Sequence, residues 1–214
     1  MTLRTSQISG LENPQLSVDS RAELRCELVR ELENQGEYEE ARKALNPYWL
    51  RIGEEPKVEG LEPGTGAELL LRAGVLTGII GGQRQISGAQ EMAKDLLTKS
   101  LSIFESRHNK KKVAEALTEL SLCYWRIHDL NEARACLEEA LSLLSIDGEL
   151  KAKAILRLAI VERAADHNQR AFKILTQHGP LFQKINNHTL KGCYFQALGD
   201  RPCCYPCCYP NPKI

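Results

Sequence analysis

The densest chemistry in the sequence is CCYPCCYP at 203–210, a tandem duplication that gathers Cys203, Cys204, Cys207 and Cys208. A Cys-x-x-Cys spacing suits thiolate coordination of zinc. A four-thiolate site, however, draws two ligand pairs from separate places in a fold that closes round the ion. Here the pairs are contiguous, adjacent cysteines chelate awkwardly, and no distant pair accompanies them. The stretch 200–214 reads instead as a low-complexity tail of the kind a truncated or out-of-frame gene end leaves. Its prolines at 202, 206, 210 and 212 exclude a helix. No metal and no other cofactor is expected, and thiol-rich metal binding through the tail stays as an alternative.

Elsewhere the reactive residue types lack the spacing that catalysis needs. His108, His128, His167, His178 and His188 fall at or near turns, without an HExxH arrangement or a recurring carboxylate neighbour. EPGTGAE at 62–68 has the glycines of a phosphate loop but not the Gly-Lys-Ser/Thr that would hold phosphate and magnesium, so it reads as a linker. HNKKK at 108–112 is a short basic run of the kind that solvates a turn. Lys plus Arg and Asp plus Glu balance at 28 each, which leaves no net field to draw nucleic acid or an anionic membrane. The expectation is a protein that is not an enzyme and binds neither.

The N-terminal stretch MTLRTSQISGLENPQ lacks the apolar run of a secretory signal. The longest apolar stretch, 68–82, is broken by Arg72 and rich in glycine, so it reads as a buried helix in a cytoplasmic protein. Cys26, Cys123, Cys136 and Cys193 sit singly in helical patterns, where a free cysteine behaves as a small apolar residue.

The elements that position these residues repeat. LNEARACLEEAL at 130–141 is echoed by GEYEEARKAL at 36–45 and HNQRAFKIL at 167–175. If Ala114 is numbered 1, then Leu117, Leu120, Ser121, Tyr124, Ala133, Leu137 and Ala140 fall at 4, 7, 8, 11, 20, 24 and 27. Small side chains at 8, 20 and 27 let two helix axes approach, and the spacing of the large ones puts them on one face. The frame recurs from Gly74 (Ile80, Gly81, Ala93, Leu97, Ser100), from Ala152 (Leu158, Ala159, Ala171, Leu175) and from Gly192 (Leu198, Gly199), with separations of 40, 38 and 40. A looser unit holds Ala22, Leu28, Val29, Leu32, Ala41 and Leu45, and Pro47 interrupts its second helix. Asp129 three residues before Glu132, and Ser87 three before Gln90, have capping-box spacing.

This pattern resembles the tetratricopeptide repeat (TPR), in which helices A and B form a hairpin. The period near 40 exceeds the usual ~34 residues and looks more like the arrays of bacterial peptide-sensing and transcriptional regulators. The resemblance implies an all-α, right-handed α-solenoid of TPR-like hairpins. Its segments are a flexible 1–16, an array over 17–199 with units near 22–52, 66–107, 109–146, 149–183 and a partial unit 188–199, and a disordered tail over 200–214. It also implies protein or peptide binding by a scaffold or adaptor, with the ligand-sensing fragment of a regulator as an alternative. Self-association through the uncapped last repeat stays open.

In such arrays the A helices line a concave groove with positions 2, 5, 6, 9 and 12. These become Glu115, Thr118, Glu119, Leu122 and Trp125 in one unit and Lys153, Leu156, Arg157, Ile160 and Arg163 in the next. The resemblance thus implies a peptide groove with an acidic wall, an aromatic residue and a basic wall. Lys153 and Arg157 match part of a clamp for a C-terminal carboxylate. Cys26 and Arg30 stand where that clamp requires Lys and Asn.

Overall fold

A computed structural model describes residues 15–199. The chain is all-α there: the described residues form ten helices and no strand. They are α1 (Val18–Gln35), α2 (Tyr38–Ala44), α3 (Pro63–Gln83), α4 (Ala89–Ser106), α5 (Lys110–Arg126), α6 (Leu130–Leu143), α7 (Glu149–Ala164), α8 (Asn168–Gln177), α9 (Gly179–Lys184) and α10 (His188–Leu198). Most of the N-terminal segment and the tail with Cys203, Cys204, Cys207 and Cys208 lie outside the described residues. No described helix is long and apolar enough to cross a membrane.

Short polar side chains start four of these helices by accepting an amide three residues on. The pairs are Ser17 with Ser20 at 3.0 Å, Asn109 with Lys112 at 3.2 Å, Asp129 with Glu132 at 3.2 Å, and Asn187 with Leu190 at 2.9 Å. Five helices stop in one way. Gly36, Gln85, His108, His128 and Asp166 all take positive φ, and in each case the following amide bonds the carbonyl five residues back, at 2.8–3.0 Å. The left-handed residue satisfies carbonyls that a helix end leaves open. Only one of the five is glycine.

The chain divides into two compact units, one up to Ile103 and one from Phe104. In the first, α3 is buried on nearly every side from Thr65 to Gly81, as its apolar run requires. Residues 63–66, expected as linker, are its first turn. α4 lies close against α3: a Cβ added at Gly81 would stand 2.2 Å from Ala89 Cβ, and one at Gly74 2.9 Å from Leu97 Cγ. Ser100 Oγ donates to the Ala67 carbonyl at 2.8 Å, and the Gln90 amide to that of Gly78 at 2.8 Å. The segment from 45 to 62 also has a core: Leu45 and Trp49 are buried, and the Trp49 indole donates to the Glu54 carbonyl at 3.0 Å.

In the second unit α6 packs on α5, α7 on both α5 and α6, α8 on α7, and α10 on both α7 and α8. One cluster joins Ala133 and Leu137 of α6 to Ala154, Leu158 and Val161 of α7. Another joins Ile155, Leu156 and Ala159 of α7 to Ala171 and Leu175 of α8, to Leu181 and Phe182 of α9, and to Leu190, Cys193, Tyr194 and Ala197 of α10. Tyr194 stacks on Phe182 with ring centroids 4.1 Å apart. Cys26, Cys123 and Cys136 are free and buried; Cys193 is buried too but disulfide-bonded, contrary to its expected free thiol.

Candidate functional site

Most of the expected groove residues lie on α5 and α7, which touch each other, and the structure sorts them into two sets. Glu119, Leu122, Leu156 and Arg157 are buried, whereas Glu115, Trp125, Lys153, Ile160 and Arg163 stay partly exposed. The expected acidic and basic walls do not face each other across open space. Lys153 Nζ lies 2.5 Å from one Glu119 carboxylate oxygen and Arg157 Nη2 2.9 Å from the other. Arg157 also donates through Nη1 to the Thr118 carbonyl. Burial alone would push the Glu119 carboxyl up. The Arg157 and Lys153 charges and their hydrogen bonds more than offset this and hold it well below the usual carboxylate range.

The partly exposed set rests on the core beneath it. Trp125 packs against the cluster of Ala133, Leu137 and Leu158, and Ile160 against that of Ala171 and Ala197. Arg163 Nη1 donates to the Ala197 carbonyl of α10 at 3.2 Å, and Glu115 pairs with Lys112 at 2.9 Å. Of the partial carboxylate clamp, Lys153 and Arg157 are thus closed onto a carboxylate of the chain itself. Arg30 bonds Glu68 at 2.5 Å.

Sequence reasoning missed two further polar clusters. In the first unit Arg72 of α3, almost wholly buried, lies 2.6 Å from Glu33 of α1 and 3.2 Å from Glu68. In the second unit the Glu162 carboxylate, with no exposed surface, takes bonds from Arg134 Nε at 2.6 Å and His167 Nδ1 at 2.8 Å, with Arg170 at 3.5 Å. Burial raises Glu162, and the bonds from Arg134 and His167 outweigh it, so the group is held ionised. Neither cluster has a motif in the sequence. The one signal is an ionisable residue at a position whose neighbours all read as core.

Cys26 and Cys136 are held as protonated thiols. Burial, with the nearby Glu68 charge, pushes Cys26 up to about 12, and burial with Glu132 does the same for Cys136. His108 and His128 occupy exposed turns, and His178 is bonded through Nδ1 to the Ile174 carbonyl at 2.8 Å. No group of three or more His, Cys, Asp or Glu among the described residues could hold a metal ion.

Compared with models of protein families, with curated proteins and with solved structures, the chain matches none.

Proposed function

We propose that the described helices form a TPR-like array, a right-handed α-solenoid, and that it works without catalysis by holding a protein or peptide segment, as a scaffold or adaptor. The observation that carries this reading is the repetition within the second unit. α7 packs on α5 and α6 as α10 packs on α7 and α8, with matching positions in matching roles. The left-handed caps at Gly36, Gln85, His128 and Asp166 add support, because they join helix A to helix B in each of four units whatever the residue type.

The binding face is the partly exposed set, Glu115 and Trp125 on α5 with Lys153, Ile160 and Arg163 on α7. Between them the Glu119–Arg157 pair fixes the helices in register rather than greeting a ligand. Buried ion pairs are a known way of specifying one arrangement, since breaking one strands a charge in the core. Tryptophan and arginine are residue types that often anchor peptide and protein binding.

The test uses the full chain, immobilised and challenged with an extract of its source cell, beside Trp125→Leu and a Lys153→Met, Arg163→Met double variant. A polypeptide retained by the wild type and lost from both, at unchanged circular dichroism and melting, is the expected result. Retention by both folded variants would move the site off α5 and α7.

A further inference from the structure

The turn from α7 to α8 departs from the two turns before it at two positions. After the left-handed residue, the amide of Asn109, Asp129 or His167 bonds the carbonyl five residues back, that of Phe104, Tyr124 or Glu162. Asn109 and Asp129 then turn forward, and their side chains accept the amides of Lys112 and Glu132 at the start of the next helix. The His167 side chain makes no such cap bond. Its ring turns back instead, and Nδ1 lies 2.8 Å from Oε2 of Glu162, a carboxylate where the earlier turns have phenylalanine and tyrosine. A forgone cap and a buried charge at an apolar position thus meet in one hydrogen bond.

The consequence is a fixed tautomer. Glu162 has no exposed surface, and Arg134 lies against both its oxygens, Nε 2.6 Å from Oε1 and Nη2 3.4 Å from Oε2. The carboxylate is held ionised and can only accept. The neutral ring therefore carries its proton on Nδ1, which leaves the lone pair on Nε2. The side chain is 54% exposed, and the ring has no second partner among the described residues. A carboxylate behind one ring nitrogen offsets the positive charge that forms when the other attacks an electrophile, as it does behind the histidine of a catalytic triad. No other histidine has this support: His178 bonds the Ile174 carbonyl, and the side chains of His108, His128 and His188 bond no described residue.

We propose that His167 is a phosphoryl-accepting residue, which takes the group on Nε2 from an activated donor such as a phosphoramidate. The class of electrophile follows from the neighbours. Arg170 Nη1 lies 3.5 Å from Oε1 of Glu162, so two guanidinium groups, those of Arg134 and Arg170, flank the ring's own partner and favour an incoming phosphoryl dianion. Glu138, 2.7 Å from Arg170 Nη2, is the opposing charge. In the transfer the Nε2 lone pair forms the new bond to phosphorus, the phosphorus–nitrogen bond of the donor zwitterion breaks, and ammonia leaves with the bonding pair. Nδ1 keeps its proton on the Glu162 bond throughout. A stoichiometric acceptor of this kind is separate from the face of α5 and α7, and it stands if that face binds nothing.

The test treats the full chain with phosphoramidate at mildly alkaline pH, where imidazoles are largely neutral. Peptide mapping in alkali follows a phosphoryl group on each of the five histidines. His167 should react about tenfold or more faster than His108 and His128, which lie in exposed turns without a carboxylate. Glu162→Gln, which keeps an acceptor but removes the charge, should bring His167 down towards those two. If that variant fails to fold, the wild type in urea keeps the test readable, because parting the pair should bring all the histidines to similar rates. His167→Asn should remove the fast site and no other. A His167 rate at or below those of His108 and His128 in the folded chain would overturn the proposal, as would a fast rate that survives Glu162→Gln or urea.

Discussion

Adding one methyl group to this protein should have opposite signs at two helical glycines. Gly81 of α3 and Gly192 of α10 both lie outside the left-handed region. At Gly81 the new Cβ would stand 2.2 Å from Ala89 Cβ. Carbon atoms settle at about 3.5–4.0 Å, so α3 and α4 would have to part by roughly 1.5 Å. The neighbouring contact at Gly74, where a Cβ would already meet Leu97 Cγ at 2.9 Å, shows that the seam has no slack about two turns away. Overpacking of this kind costs about 1–3 kcal/mol, and a clash this deep belongs at the upper end. The gain in helix propensity returns at most about 1 kcal/mol, which leaves Gly81→Ala destabilised by roughly 2 kcal/mol. At Gly192 nothing lies within 4 Å, so only the propensity term acts and Gly192→Ala should be stabilised by about 0.5–1 kcal/mol. Urea unfolding followed by circular dichroism reads both as shifts of midpoint at constant slope. Ala89→Gly in the Gly81→Ala background vacates the clashing atom and should recover part of the loss. A Gly81→Ala midpoint equal to or above that of Gly192→Ala, or no recovery in the double variant, would refute the close approach of α3 and α4.

The left-handed caps give a second test: His128→Gly and Gln85→Gly should each raise the urea midpoint by the equivalent of about 1 kcal/mol, because glycine adopts positive φ without the Cβ penalty, and a lowered midpoint would contradict the cap geometry. Arg157→Met should cost about 3 kcal/mol by leaving Glu119 buried with half its partners, and Arg157→Glu should cost more; a neutral result for both would mean the pair is not buried. The pH dependence follows from the sign of the Glu119 shift. Folded Glu119 ionises more readily than its ordinary value of 4.5, so the unfolded chain binds more protons in acid. Its contribution is complete above that pH and is lost as the pH falls towards the depressed folded value, so Glu119→Gln should flatten the acid limb of a stability–pH profile. Finally, iodoacetamide at neutral pH followed by peptide mapping should leave Cys26 and Cys136 unmodified in the folded chain and label both in urea.

What was legible in the sequence was what neighbouring residues decide. The helical hairpins followed from apolar spacing, the start of α6 from Asp129 and Glu132, and the tight packing of α3 from glycines at the position where other units carry serine or alanine. The left-handed turns at Gln85, His128 and Asp166 were not legible, since glycine is their usual signal and the six-residue bonding pattern does not depend on side chains. α9 was missed because six residues are too few for a period, although Gly179-Pro180 is a fair start signal. The burial of Trp49 was not legible, because beyond Pro47 its contacts follow no periodic pattern.

The pairing among the charged residues of the expected groove was not legible for a different reason. Whether a charge on a helix faces water or a partner depends on a residue far along the chain: Glu119 meets Arg157 at a separation of 38 and Arg134 meets Glu162 at 28. Position within one repeat cannot report that pairing, because the repeat spacing gives each helix the same faces whether or not the next helix carries the opposite sign. Once the pairs close, these charges align neighbours, and the apolar surface that stays open on these helices is the rims of Trp125 and Ile160 and the ring of Phe195. Apolar surface left in contact with water costs free energy that folding within the described residues has not recovered. On the proposed reading as a binding array, those uncovered rings are where contact with a second chain would return most free energy.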